Sequence, residues 1–389
     1  MKKYMLIISL LIIALIMTVM SSVSINQPTE SIFTYVKLYN VVTPSKPKIT
    51  TVVKQEQTDF FNGICFYPAP LPYDSEESVQ SLSDLLLEMK ANFIGLRYFL
   101  HEQNLESNAV YFDAHQDEVL FEIISQIHEA GKGVCLEPQI LIDSPGQYVA
   151  DLKPKSVKEW FENYQKVILH YAQFAQNCGV EIFSVANENN SLWGYSQYWN
   201  NLINSVSNIY KGNITVRLNC WWQEKTYQSI INDYIWLENS NLTYIGISPY
   251  FDLTVMKNPE VEDLVKAWIS SESNRHNLNI VEELENISNR YKKKILFLEI
   301  GYRSIELCAS EPWNASDVVP RGSKRIVHSN SAPVIAVKAL YRVFGNKEWF
   351  AGVFWFYWPT AKPPKFDTTW SIWDKPVEEI LNEEFNLRK

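Results

Sequence analysis

Short apolar runs alternate along this chain with stretches whose apolar positions recur at helical spacing, and the rhythm starts near residue 60. "NGICFY" (62–67) reads as a strand, and Val79, Leu82, Leu85, Leu86 and Met89 then mark one face of a helix. "NFIGLRYF" (92–99) is the second run. Val119, Ile123, Ile124 and Ile127 follow at helical spacing, with Gly131 where a helix C-terminal cap belongs. "GVCLEPQI" (133–140) is the third. The next helix opens on Ser156-Val-Lys-Glu159, a capping box, and runs through Trp160, Val167, Tyr171 and Phe174 to Gly179.

Strand four, "EIFSVA", ends in the polar cluster Asn187-Glu188-Asn189-Asn190. Strands five to eight are "ITVRLNCWW" (214–222), "LTYIGISPYF" (242–251), "KILFLEIGY" (294–302) and "FAGVFWFYW" (350–358). A long charged helical region precedes strand seven, and the helix "PVIAVKALYRVF" (333–344) precedes strand eight. Strands alternating with helices predict a parallel α/β fold, and eight is the number that closes a (β/α)8 TIM barrel. The competing open, doubly wound sheet carries a Gly-rich phosphate loop after its first strand. "GICFYPAPLPY" has no such loop, and the whole chain has only 13 Gly.

The first 57 residues lack this rhythm. Lys2 and Lys3 precede an uncharged apolar run, Tyr4–Met20, and Ser22-Val23-Ser24 is a small-x-small cleavage site, so residues 1–24 read as a signal peptide or a membrane anchor. The run is at the short limit for a membrane span, about 17 residues. Positive residues ahead of it would export everything after it, so the body is expected to be secreted or anchored at the outer membrane face. Residues 25–57, with Pro28, Pro44 and Pro47, read as a linker or stalk, leaving 58–389 as the barrel.

Composition narrows the class further. At 389 residues with 46% hydrophobic and 20% charged side chains, the chain can bury a full core. A net charge of −9 argues against a nucleic-acid partner. The five Cys and six His are scattered without metal-ligand spacing, so neither a metal nor another cofactor is indicated, and a monomer is expected. Aromatic content of 14%, with 13 Trp, suits a protein that holds the apolar faces of sugars.

In a barrel the C-terminal strand ends ring the active site. They deliver Phe66 and Tyr67, Arg97 and Tyr98, Glu137 and Gln139, Asn187 and Glu188, Asn219, Trp221 and Trp222, Tyr250, Glu299, and Trp355 and Trp358. Burying such a set without purpose would be costly. As a pocket lining it suits a ligand rich in hydroxyls. The bland alternative for Glu188 is a solvated loop charge, and for Glu299 a strand-end charge paired with Arg303.

Asn187-Glu188 closing strand four and Glu299 closing strand seven resemble the clan A glycoside hydrolases. "FLEIGYRS" (297–304), "ISPYF" and "FWFYW" are most similar to glycoside hydrolase family 113, the endo-β-1,4-mannanases, over roughly residues 58 to 360. The resemblance implies a (β/α)8 barrel and retaining hydrolysis, with Glu188 as general acid/base and Glu299 as nucleophile. It further implies that Asn187 hydrogen-bonds a sugar hydroxyl and that Arg97 and Tyr250 hold Glu299 ionised. Tyr67, Trp221, Trp355 and Trp358 complete the expected substrate-binding set, the last two as stacking platforms. β-1,4-Mannan is the first substrate implied. Another β-glycan, or a non-catalytic carbohydrate-binding barrel, are the alternatives.

Overall fold

Eight parallel strands close on themselves in chain order, β1-β2-β3-β4-β5-β6-β7-β8, with β8 pairing back onto β1. This is a computed structural model, described for residues 60–219, 233–317, 319 and 325–388. The expected signal or anchor segment 1–24, the expected linker 25–57 and both Trp221 and Trp222 lie outside the described residues. The strands are β1 Phe61–Tyr67, β2 Phe93–Glu102, β3 Gly133–Ile142, β4 Ile182–Asn187, β5 Asn213–Asn219, β6 Ile245–Ser248, β7 Ile295–Ile300 and β8 Phe350–Pro359. The described helices are α1 Glu76–Glu88, α2 His115–Glu129, α3 Val157–Cys178, α4 Ser196–Ile209, α5 Val261–Ile269, α6 Ile280–Tyr291, α7 Ser331–Phe344 and α8 Pro376–Leu387. The fold is a (β/α)8 barrel.

Local chemistry sets the helix boundaries. Ser75 and Ser156 cap α1 and α3 by accepting from the backbone N–H of Ser78 and Glu159. Gly131 and Gly179, at φ 72° and 74°, turn the chain out of α2 and α3 in the left-handed region that glycine enters without strain. Val79, expected on the buried face of α1, is instead exposed, while Leu82 and Leu85 pack inward.

Strand alternation divides the apolar residues into two layers. Phe61, Cys65, Phe93, Cys135, Ile182, Leu296, Leu298 and Phe354 fill the barrel interior. Their sequence neighbours face the helices and join the larger core, which includes Ile64, Ile94, Val134, Phe183 and Phe297. Gly63 has a reason here: a Cβ at that position would sit 2.3 Å from the Phe354 ring, so the interior closes only because the side chain is missing.

Two strands overrun the others. β2 and β3 pair over ten positions each, from Phe93 opposite Gly133 to Glu102 opposite Ile142. β1 reaches only Gly95 of β2, and β4 pairs with β3 only at Cys135 and Leu136. The upper half of β2 and β3 therefore rises above the barrel as a two-stranded ribbon. β2 is longer than its apolar run predicts because the polar tip His101-Glu102 still belongs to the ladder, and β3 extends with it through Leu141 and Ile142.

Candidate active site

Glu299, penultimate in β7, is the centre of the polar cluster at the barrel mouth. One carboxylate oxygen, Oε2, receives both Arg97 from β2 and Arg217 from β5, and Tyr250, just beyond β6, donates to Oε1 at 2.9 Å. Its side chain is 13% exposed. Burial alone would raise this carboxyl, but the Arg217 and Arg97 guanidiniums outweigh it and hold it at about 2. Glu299 is therefore ionised throughout the ordinary pH range. Arg303, the alternative partner for it, instead donates to the carbonyls of Thr368, Asn314 and Ser316 and ties down the loops after β7 and β8.

The two arginines are held in turn. Arg97 donates to Gln139 Oε1 at 2.8 Å and lies over the rings of Tyr67 and Phe356, 5.2 and 5.6 Å from their centroids. Arg217 sits with its Nε 3.2 Å from Glu137 Oε2 and reaches Ser248 Oγ at 3.4 Å. Arg97, Arg217, Glu137 and Glu299 thus form a four-membered buried network with two charges of each sign. Burial pushes the Glu137 carboxyl above the usual range, with Arg217 and Arg97 opposing.

Glu188 stands beyond the end of β4 in a different setting. Its φ of 55° is in the left-handed region, unusual for a residue with a side chain. Three hydrogen bonds impose it. The Glu188 N–H donates to Arg217 O at 2.9 Å, Asn190 N–H donates back to Glu188 O at 2.8 Å, and Asn189 Oδ1 accepts from Asn187 N–H at 3.1 Å. So the polar cluster is a turn, as its composition suggests, but the glutamate rather than an asparagine takes the strained angle. The Tyr148 phenol donates to Glu188 Oε2, and among the described residues no cation pairs with that carboxylate. Burial, then the Glu188 charge, push the Tyr148 phenol well up, so it stays a donor. Asn187 donates to Gln139 Oε1 at 3.2 Å, while its buried Oδ1 has no partner among the described residues.

The fold brings together Glu188, Glu299, Asn187, Arg97, Tyr250 and Tyr67. It does not bring Trp355 and Trp358, and that expectation is corrected here. Trp355 is 1% exposed, with Nε1 donating to Tyr341 Oη of α7 at 3.0 Å. Trp358 is wholly buried, bonded to Ser81 of α1 and stacked on Trp373 at 4.8 Å. Both point at helices. Between Cys65, opposite Phe356, and Phe66, opposite Trp358, the register shifts by one residue, so Tyr357 is inserted and the alternation is reset. Phe356 and Tyr357 are the aromatics that reach the mouth, beside Tyr67. Tyr98 likewise faces outward, stacked on Tyr171 at 3.9 Å.

Sequence reading missed two residues. Arg217 shares a strand face with Asn219, two positions on, and strict alternation would have found it. Tyr148 lies in the irregular segment after β3, where no period constrains a side chain.

A closed parallel barrel carrying buried carboxylates, arginines and amides at its strand ends has the architecture of a (β/α)8 enzyme. The family model described as Glycoside Hydrolase Family 113 matches residues 69–372. The chain belongs to glycoside hydrolase family 113, within clan A, and is a glycoside hydrolase. Solved structures of similar fold include the β-mannanase AaManA from Alicyclobacillus acidocaldarius in complex with ManMIm, at 18% identity and TM-score 0.70, covering 86% of this chain and 99% of that one. A family 113 β-1,4-mannanase aligns at 19% identity and TM-score 0.69, over 85% of this chain and all of the other. A β-D-glucuronidase of Dictyoglomus thermophilum aligns at 13% identity and TM-score 0.53, over 84% of this chain and 50% of that one. No curated protein matches the sequence.

Proposed function

We propose that this protein is a retaining β-1,4-mannan hydrolase in which Glu299 is the nucleophile and Glu188 the general acid/base. The observation that carries this reading is the asymmetry between the two carboxylates. Glu299, gripped by two arginines and a tyrosine, is a permanent anion suited to attack an anomeric carbon. Glu188 has a phenol and, among the described residues, no cation, the setting of a group that exchanges a proton. Retention needs such a pair about 5 Å apart. In the first step Glu299 forms a bond to the anomeric carbon while the glycosidic oxygen leaves with the Glu188 proton. In the second, Glu188 takes a proton from water, whose oxygen displaces Glu299. Asn187 Oδ1, which has no partner among the described residues, is available to accept from a sugar hydroxyl. Mannan is the substrate because the family match and the fold neighbours named as mannanases favour it.

Separating the two roles tests the reading. Glu188→Ala should lose on the order of 10³-fold on mannan, whose poor leaving group needs the proton. On an aryl mannoside with an acidic phenol, glycosylation should survive, and added azide should restore turnover as a β-glycosyl azide. Glu299→Ala forms no covalent intermediate, so azide should give only slow product of inverted configuration. Glu188→Ala with near-normal activity on mannan would refute the assignment, and exchange of the two behaviours would reverse it.

The same reading has the barrel working outside the cell. Lys2 and Lys3 ahead of the apolar run Tyr4–Met20 support export. Fractionation of producing cells tests this: barrel found only in the cytosol would refute it, and detergent-dependent release would favour a retained anchor over a cleaved signal.

A further inference from the structure

The ribbon formed by the upper halves of β2 and β3 has one face that continues the wall of the active site. Because alternate residues share a face, Arg97, Phe99 and His101 line it on β2, and Glu137, Gln139 and Leu141 on β3. The Arg97–Gln139 hydrogen bond confirms that this face is the one turned toward the mouth. Leu100 and Glu102, on the opposite face, are buried.

At the top of that face is a small platform unused by the chemistry. Tyr111 pairs antiparallel with His101 through two backbone hydrogen bonds, 2.7 and 3.1 Å, and its ring lies beside the imidazole at 5.6 Å and 22°. The Tyr111 phenol donates to Asp143 Oδ2, and His101 Nδ1 is 3.1 Å from Asp143 Oδ1. Asp143 is fixed by its own N–H, which donates to Glu102 O at 2.8 Å. The group is nevertheless open to solvent: Tyr111 is 47% exposed and Leu141 38%. Its side chains are therefore ordered by one another rather than by burial, the arrangement of a surface made ready for a ligand.

We propose that Tyr111, His101, Leu141 and Asp143 form a distal sugar-binding site that holds the β-linked glycan chain beyond the catalytic centre. A hexose has an apolar face of C–H bonds and a rim of hydroxyls. The outer face of the stacked Tyr111–His101 pair and Leu141 match the first, an amphipathic use of aromatics. Asp143 matches the second, since each of its oxygens accepts one donor here and has capacity for another. Four residues of strand separate Asp143 from Gln139, about 13 Å, which is beyond the reach of a sugar seated at Glu299. The occupant is the substrate itself because the platform and the catalytic wall are one continuous strand face. Binding there adds contacts that only long chains make, and so raises their kcat/KM over that of short ones.

The inference rests on the proposed function, and the test separates the two. Hydrolysis of β-1,4-manno-oligosaccharides of increasing length is measured for the wild type, Tyr111→Ala and Tyr111→Phe. The backbone pairing of Tyr111 with His101 does not depend on the side chain. In Tyr111→Ala the ratio of kcat/KM for the hexasaccharide to that for the trisaccharide should fall about tenfold, equivalent to about 1.4 kcal/mol. Tyr111→Phe keeps the ring and should lose less. An unchanged ratio, or an equal fall on both substrates, overturns the distal site while leaving the catalytic reading intact. A wild type that cleaves no β-1,4-mannan overturns the substrate reading instead, and the ratio is then judged on the β-glycan it does cleave.

Discussion

Removing Arg217 should do more damage than removing Arg217 together with one of its partners. Arg217 is buried between Glu137 and Glu299, 3.2 Å from the first and hydrogen-bonded to the second. In Arg217→Met, Glu299 keeps Arg97 and Tyr250. Glu137, 2% exposed at its side chain, loses its ion-pair partner and is left a buried carboxyl offset only by the field of Arg97. Breaking a buried pair on one side costs about 3–5 kcal/mol, whereas replacing both partners is close to neutral. In a barrel of this size each kcal/mol corresponds to about 2 °C in Tm, so Arg217→Met should lower Tm by about 6–10 °C. Arg217→Met/Glu137→Gln should recover at least half of that.

The pH dependence adds a sign. Burial holds Glu137 above the ordinary carboxylate range even with Arg217 present, and losing that cation raises it further. The folded variant then keeps a proton that the unfolded chain, near pKa 4.3, has released. Stability is thus full below the unfolded pKa and is lost as pH rises through the folded one. The Tm deficit of Arg217→Met should be smaller at pH 5 than at pH 8, and the double variant should show a flatter profile. Thermal unfolding followed by near-UV circular dichroism at the two pH values decides it. Equal Tm for the single and double variants at both pH values would refute the reasoning, because Glu137 would then not depend on Arg217 for its charge.

Glu102 accepts from Trp160 Nε1 at 2.8 Å in full burial, its second oxygen has no partner among the described residues, and burial, against that hydrogen bond, pushes its carboxyl up to about 8. Stability should therefore decline as pH rises toward and through 8, and Glu102→Gln should shrink the Tm difference between pH 6 and pH 9. Trp358→Phe should lower Tm by several degrees, since it loses the hydrogen bonds to Ser81. Its KM for mannan should stay within about twofold of the wild type, that is, within about 0.4 kcal/mol; a tenfold rise at unchanged Tm would return Trp358 to the sugar site. Among the described residues no group of three or more His, Cys, Asp or Glu could hold a metal ion. EDTA should leave activity unchanged, and a loss restored by a divalent ion would reveal a site elsewhere in the chain.

The sequence by itself determined the barrel and much of its polar lining. Eight apolar runs alternating with helical periods leave few folds to choose from, and strand ends in a barrel converge whatever the loops do. That is why Glu299, Arg97, Tyr250 and Asn187 could be named before any coordinates and lie together in the structure. Only the tertiary structure decided which way certain side chains point and how far strands run. A single inserted residue, Tyr357, reverses the alternation in β8, and the run of five aromatics from Phe354 to Trp358 carries no local signal of where the insertion falls. Arg217 was legible in period but not in partner, because its meaning depends on Glu137 and Glu299 from strands far away in the chain. Tyr148 and Tyr111 come from irregular segments, where position is set by hydrogen bonds to other elements rather than by any repeat. Periodicity is a property of neighbours in sequence. The pairings that tune charge at this site are properties of neighbours in space.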